Sequence, residues 1–243
     1  MKKINVMAMA GSGQRFLDQN YKTPKPLIII KKKPMFYHAV KSLPSSQKII
    51  FIYQKKLSFI YKIKFFVKKF FKNSRIIEIK KKTNGQATTC KLASKYLNND
   101  DIVTYAACDF FFDFNRKQFD ELISSNDVII FVHKPMITNI VNFKEYGWIK
   151  TGKKNAILKI QCKNKASKNP KDDLVITGTF TFKNKKIFHH SYKEMVNKID
   201  KINNEFYMDT VAKHALSLKY KVKYILVKNF KSYGTPGELK IND

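Results

Sequence analysis

The sequence predicts an α/β protein built on a parallel, doubly wound sheet, and three observations carry that prediction. Strand-like and helix-like segments alternate over the first 135 residues, the pattern of parallel strands joined by crossover helices. Of the 243 residues 44% are hydrophobic, with 20 Phe and 12 Tyr, which supplies a sizeable core and is too apolar for a disordered chain. The first apolar segment, residues 4–9, runs into Gly11-Ser12-Gly13, a small-residue turn at the strand end where open α/β sheets bind ligands.

Residues 4–9 read as a central strand because the run is apolar without alternation. Residues 34–43 read as a helix with Met35, Phe36, Ala39, Val40 and Leu43 on one face. Residues 48–53 are a second buried strand. Residues 58–71 are a basic, aromatic, helix-like segment whose Phe and Ile stripe packs on the sheet; an interfacial membrane helix is the sharper reading. A short strand at 76–79 precedes a turn at 83–87, which opens a helix to about residue 97. Residues 101–107 form a strand ending at Cys108-Asp109, followed by a helix at 116–124 and a strand at 127–132. The second half is less regular. Strands of a smaller mixed sheet are expected at 146–150, 157–162 and 176–182, helices at 193–202 and 208–219, a last strand at 222–227 and a turn at 232–237. No repeat or low-complexity linker interrupts the chain, so one continuous domain is expected over 1–243, with halves of about 1–135 and 136–243.

The formal charge of +30 points first to nucleic acid or an anionic membrane. Only Arg15, Arg75 and Arg116 are arginines among the 48 basic residues, however, and the lysines are spread along the chain with many Asn, Ile and Phe. That mixture reads as low-GC codon bias and solvated lysine faces rather than a nucleic-acid surface, whose readers lean on arginine. No nucleic-acid partner is expected. Cys90, Cys108 and Cys162 have no pairing or zinc spacing and read as reduced, buried thiols of a cytoplasmic protein. Met1-Lys2-Lys3 with its apolar follower faintly resembles a secretion signal, but the apolar run is short and leads into the glycine loop. No segment approaches the roughly 18 apolar residues of a membrane span, so no stable membrane insertion is expected.

Small residues let backbone N–H groups come close to a phosphate because no Cβ intervenes. Gly11, Ser12 and Gly13 provide such a loop, and Arg15 and Lys25 bring two cations to it. An anionic, phosphorylated ligand is the natural occupant. Where the chain so often uses Lys, Arg15 suggests that a planar fork is needed. Asp109, directly after a buried strand, is placed either to hold a hard cation such as Mg²⁺ or to cap the following turn; Asp113 is a weaker candidate. Gln86, after Gly85, offers a donor and an acceptor to a base or ribose hydroxyl, or simply begins a helix. The five histidines make no metal pattern, and no Ser/His/Asp or Cys/His nucleophile stands out.

Gly11-Ser12-Gly13-Gln14-Arg15, followed ten residues later by Pro24-Lys25-Pro26-Leu27, resembles the signature of the nucleotidyltransferases that make NDP-sugars and related activated metabolites. The resemblance runs from residue 4 to about residue 239 and is specific in the first 40 residues. It implies a Rossmann-like, three-layer αβα domain of GT-A type with a mixed, mostly parallel sheet and a smaller acceptor-binding subregion. It implies a Mg²⁺-dependent transfer of NMP from an NTP to a phosphorylated small metabolite, with pyrophosphate released. The family's loop residues fall on Ala10, Gly11, Ser12, Gly13 and Gln14, its catalytic cations on Arg15 and Lys25, its base-contacting turn on Gly85 and Gln86, and its metal carboxylate on Asp109. Its acceptor-side residues fall on Lys165 and Gly178. Ala10 replaces the family's usual glycine, a small change. Ser232 stands where relatives often carry a second metal Asp, which leaves Asp209 as the best substitute. The compact length is similar to the cytidylyltransferases, so CTP is the first expectation, with a sugar phosphate destined for capsule or another surface polysaccharide as acceptor. A homo-oligomer stays open. Two other classes also stay open: a GT-A glycosyltransferase using an NDP-sugar, although Asp109-Phe110-Phe111 breaks the Asp-x-Asp motif of such enzymes, and a basic nucleic-acid or membrane-binding module.

Overall fold

The computed structural model describes residues 1–242. Its strands are, in order, β1 (Lys3–Met9), β2 (Ile29–Ile30), β3 (Lys33–Pro34), β4 (Lys48–Gln54), β5 (Arg75–Ile79), β6 (Ile102–Ala106), β7 (Phe110–Asp113), β8 (Val128–His133), β9 (Gly147–Thr151), β10 (Ile157–Cys162), β11 (Leu174–Phe182), β12 (Val222–Leu226) and β13 (Lys228–Ser232). Nine of them make one sheet in the order β10-β9-β11-β6-β1-β4-β5, with β8 against β11 and β12 against β8. β5, β4, β1 and β6 are mutually parallel, as are β8 and β12, whereas β11 is antiparallel to β6, β8 and β9, and β10 to β9. Seven of the nine strands therefore point the same way, and only β10 and β11 oppose them. The expected α/β fold with a mixed, mostly parallel sheet is what the chain forms.

Helices on both faces explain why β6 and β8 are buried at every residue. On one face, helices Lys185–Asn197 and Met208–Ser217 pack Phe188, Met195, Val211 and Ala215 onto Val6, Ile50, Val103 and Ile130. On the other, Phe36, Val67, Phe119 and Ile123 cover Met7, Phe51, Ile129 and Phe131. The alternation along β1 thus feeds two apolar layers, giving three layers in all. All three cysteines are buried and free, and burial raises the thiol pKa of each, that of Cys108 to about 12.

Several elements differ from their sequence expectation. The segment expected as one helix over 58–71 is two helices, Lys55–Tyr61 and Ile63–Phe70, broken at Lys62 in a left-handed conformation (φ 51°). The helix expected at 193–202 lies at Lys185–Asn197, where the Asn184 side chain accepts from the Ile187 N–H at 2.9 Å and fixes the start. The helix opening at Gln86 is α-helical only to Lys91 and continues as a 3₁₀ turn over Leu92–Tyr96. Finally, β7 and β13 pair as an antiparallel ribbon outside the main sheet, and Pro236 and Gly237, expected as the end of the turn at 232–237, begin a helix over Pro236–Asn242.

Candidate functional site

The site forms at the carboxyl ends of β1 and β6. After β1, Ala10 is held by the buried Gln54 side chain, whose amide donates to the Ala10 carbonyl at 2.8 Å. Gly11 and Ser12 are exposed, and a Cβ built on Gly11 would meet nothing within 4 Å, so the loop lies open to a ligand. Gly13 takes φ 69°, a left-handed turn that favours glycine, and starts the short helix Gln14–Leu17. Pro24 and Pro26 flank Lys25 and fix the backbone on either side of it. Its ammonium donates to Asp109 Oδ2 at 2.5 Å and to the Gly234 carbonyl at 3.1 Å, and lies 5.6 Å from the Phe16 ring centre. Lys25 thus ties the glycine loop to the end of β6 and to the Gly234-Thr235-Pro236 turn.

Two adjoining cavities open around this lysine. The first, about 380 Å³, is lined by residues 8–16, Lys25, Lys82, Thr83, Gly85, Gln86, Asp109, Glu205 and Tyr207, among others. The second, about 260 Å³, is lined by Tyr146, Gly147, Lys163, Thr177, Gly178, Asp209, Ser232 and Glu238, among others. Arg15, Lys25, Gln86, Ala107, Asp109, Tyr207 and Gly234 belong to both. A ligand in one cavity would therefore meet a ligand in the other across a wall that carries two cations and a carboxylate.

Each of three cations on the first cavity faces a carboxylate: Arg15 is 3.4 Å from Glu145, Lys25 2.5 Å from Asp109, and Lys82 2.7 Å from Glu205. The Tyr207 hydroxyl also donates to Glu205 at 2.8 Å. Burial opposes ionisation of Glu205, but Lys82 and Tyr207 outweigh it and hold the carboxyl below its usual range. Gly85 (φ 104°) lets residues 84–87 lie against Phe206: the Ala87 N–H donates to the Phe206 carbonyl at 3.0 Å and the Phe206 N–H to Asn84 at 2.8 Å. A Cβ at Gly85 would stand 2.5 Å from the Phe206 carbonyl oxygen. Gly85→Ala is therefore expected to destabilise the fold by roughly 2 kcal/mol or more, read as a lower urea midpoint, and to weaken nucleotide binding by displacing Gln86.

In the second cavity Gly178 (φ 84°) sits where the pairing of β11 with β8 shifts register between Ile176 and Phe180, a bulge of the kind found beside active sites. Gly147 is needed for a different reason: a Cβ there would lie 2.6 Å from Asp209 Cγ. Asp209 occupies the first turn of helix Met208–Ser217, and burial raises its carboxyl pKa to about 6 against the lowering effects of Cys162 and Lys163. A half-buried carboxyl that lines a cavity is a natural acceptor for a cation. Because the folded pKa lies above the unfolded one, its contribution to stability is full at low pH and is lost as pH rises through about 6. In chelator, Asp209→Asn is expected to raise Tm at pH 7.5 and to leave it nearly unchanged at pH 4. Added Mg²⁺ at pH 7.5 should stabilise the wild type more than the variant.

The residues expected at the site mostly converge. Ala10, Gly11, Ser12, Gly13, Gln14, Arg15, Lys25, Gly85, Gln86 and Asp109 line the first cavity, and Gly178 and Asp209 the second. Lys165 is the exception. Its ammonium stacks 4.6 Å from the Phe143 ring centre, away from both cavities. Besides Lys25, the lysine that lines the second cavity is Lys163, whose backbone is left-handed (φ 53°) and whose ammonium lies 5.0 Å from the Tyr207 ring centre. Ser232 lines the same cavity, as does Glu238, which accepts from the Tyr146 hydroxyl at 2.6 Å and the Thr235 N–H at 3.0 Å. Sequence reasoning missed Glu145, Tyr146, Gly147, Lys163, Glu205, Tyr207 and Glu238. For Glu205 and Tyr207, their closeness to Asp209 was the one available signal. Among the described residues no three His, Cys, Asp or Glu side chains cluster in a way that could hold a metal ion, so a bound cation would need ligand oxygens besides Asp109 and Asp209. No described helix is long and apolar enough to cross a membrane.

Residues 4–229 match the model of the nucleotidyl transferase family. No curated protein sequence matches the chain. Among solved structures, the nucleoside-diphosphate-sugar pyrophosphorylase from Vibrio cholerae RC9 is similar with a TM-score of 0.79 at 21% identity, covering 98% of each chain. The inositol-1-phosphate CTP transferase from T. maritima is similar with a TM-score of 0.73 at 15% identity, covering 99% of this chain and 93% of that one. The UTP-bound UGPase from Acinetobacter baumannii is similar with a TM-score of 0.72 at 15% identity, covering 100% and 92%.

Proposed function

The chain belongs to the nucleotidyl transferase family, and from that premise we propose that it transfers a nucleoside monophosphate from an NTP, CTP first among the candidates, to the phosphate of a small metabolite such as a sugar phosphate. Pyrophosphate is released, and the activated product serves capsule or other surface-polysaccharide assembly. The observation that supports this reading is the pair of cavities joined across Arg15, Lys25 and Asp109.

The NTP takes the first cavity, with its triphosphate on residues 10–14 and its base toward Gly85 and Gln86. The phosphorylated acceptor takes the second, its phosphate near Lys163 and its body against Gly147 and Gly178. A non-bridging oxygen of the acceptor phosphate attacks the α-phosphorus, and the bond from that phosphorus to the β-phosphate oxygen breaks. Arg15 and Lys25 neutralise the charge that builds on the transferring group and on the leaving pyrophosphate. The acceptor phosphate is already anionic, so no general base is required. The oxygen donors Asp109 and Asp209 suit a hard divalent cation. A divalent cation such as Mg²⁺ held by Asp109 and Asp209 would supply neutralisation of phosphate charge, and Lys25 and Arg15 orient the phosphate oxygens from the protein side.

A thermal-shift screen of CTP, UTP, dTTP, ATP and GTP with Mg²⁺ tests the reading, since a ligand of the folded state raises Tm. A rise with one NTP identifies the base. A rise with an NDP-sugar and none with any NTP would replace the proposal with the glycosyltransferase alternative.

A further inference from the structure

The two helices Lys55–Tyr61 and Ile63–Phe70 form a hairpin that the transfer reaction does not use. Its inner face is fixed. Leu57, Ile63 and Val67 are buried, and the Ser58 hydroxyl, 3.2 Å from the Tyr53 hydroxyl, donates to Glu78 at 2.5 Å. Its outer face is apolar at the tip: Phe59 is 91% exposed, Ile60 60% and Phe65 60%. Around these side chains, residues 55–72 carry seven lysines and neither an acidic residue nor an arginine.

A helical hairpin that holds bare Phe and Ile outward in a lysine-rich segment has the composition of an interfacial anchor. The apolar tips enter the acyl boundary while the lysine stems lie along it and their ammonium groups meet anionic headgroups. Ile60 offers no stacking face and the segment has no guanidinium, which favours a bilayer over single-stranded nucleic acid. We propose that this hairpin docks the protein on an anionic bilayer surface. It leaves the carboxyl end of β4, whose Tyr53 pairs in parallel register with Met9 and whose Gln54 holds the Ala10 carbonyl. Docking would therefore bring the carboxyl end of the sheet, which carries the glycine loop, toward the headgroup layer.

The test is co-sedimentation of the full chain with vesicles of equimolar phosphatidylglycerol and phosphatidylcholine, and with phosphatidylcholine alone, at physiological ionic strength. Binding is expected only to the anionic vesicles. The variant Phe59→Ser/Ile60→Ser/Phe65→Ser, which keeps every lysine, should bind at least about tenfold more weakly with its Tm unchanged. Unchanged binding would assign the interaction to the chain's overall charge and overturn the proposal, as would failure to bind anionic vesicles. Tighter, hairpin-dependent binding to single-stranded RNA than to vesicles would also overturn it. A second readout stands apart from the triple variant: Phe59→Trp should show a blue-shifted emission on anionic vesicles against the buried Trp148 background, and no shift would contradict insertion.

Discussion

Lys25→Ala is expected to lower kcat for nucleotidyl transfer by two or more orders of magnitude, about 3 kcal/mol of transition-state stabilisation. The size of the effect follows from where the ammonium sits. Lys25 is shared by both cavities, its side chain is 19% exposed, and it reaches Asp109 and the Gly234 carbonyl at once. A cation in so sheltered a place acts on developing phosphate charge with little screening. The fold should survive, because the apolar contacts of Phe16 and Leu27 remain. Tm within a few degrees of wild type and near-normal NTP binding would separate lost chemistry from lost structure. Unchanged turnover would remove Lys25 from the mechanism.

Asp109→Asn is expected to abolish Mg²⁺-stimulated turnover, a loss of at least about a hundredfold. The amide is nearly the same shape and its oxygen can still accept from Lys25, so the loop geometry is kept while the negative charge is removed. The two variants should not be additive. Lys25 and Asp109 are in direct contact, and removing either one changes the electrostatics of the other. A Mg²⁺ titration distinguishes them: Lys25→Ala should retain the metal dependence at a low rate, and Asp109→Asn should lose it. Wild-type rates for Asp109→Asn at saturating Mg²⁺ would exclude Asp109 as a metal ligand.

Local patterns carried the first cavity. A strand, a glycine turn and a proline-flanked lysine each fix their own backbone within a few residues, so Gly13, Arg15 and Lys25 could be placed without knowing the fold. Asp109 was legible because a carboxylate after an apolar run lands at a strand end. The second cavity was not, because its geometry is tertiary. Gly147 matters only because Asp209 comes to lie against it, and it is Lys163, not Lys165, that lines the cavity. Glu145 arrives from a segment 130 residues away from the Arg15 it faces. The break at Lys62 has no glycine or proline to announce it, and the β7–β13 ribbon joins residues more than a hundred apart that show no alternation.

The measurement that bears most directly on nucleotidyl transfer at this site is pyrophosphate release from each NTP in the presence and absence of phosphorylated acceptors, run in parallel on wild type and Lys25→Ala. Pyrophosphate is expected only when one NTP and one acceptor are present together, with near-complete loss in the variant. Pyrophosphate formed equally by the variant, or release of a nucleoside diphosphate from an NDP-sugar with no NTP turned over, would contradict it.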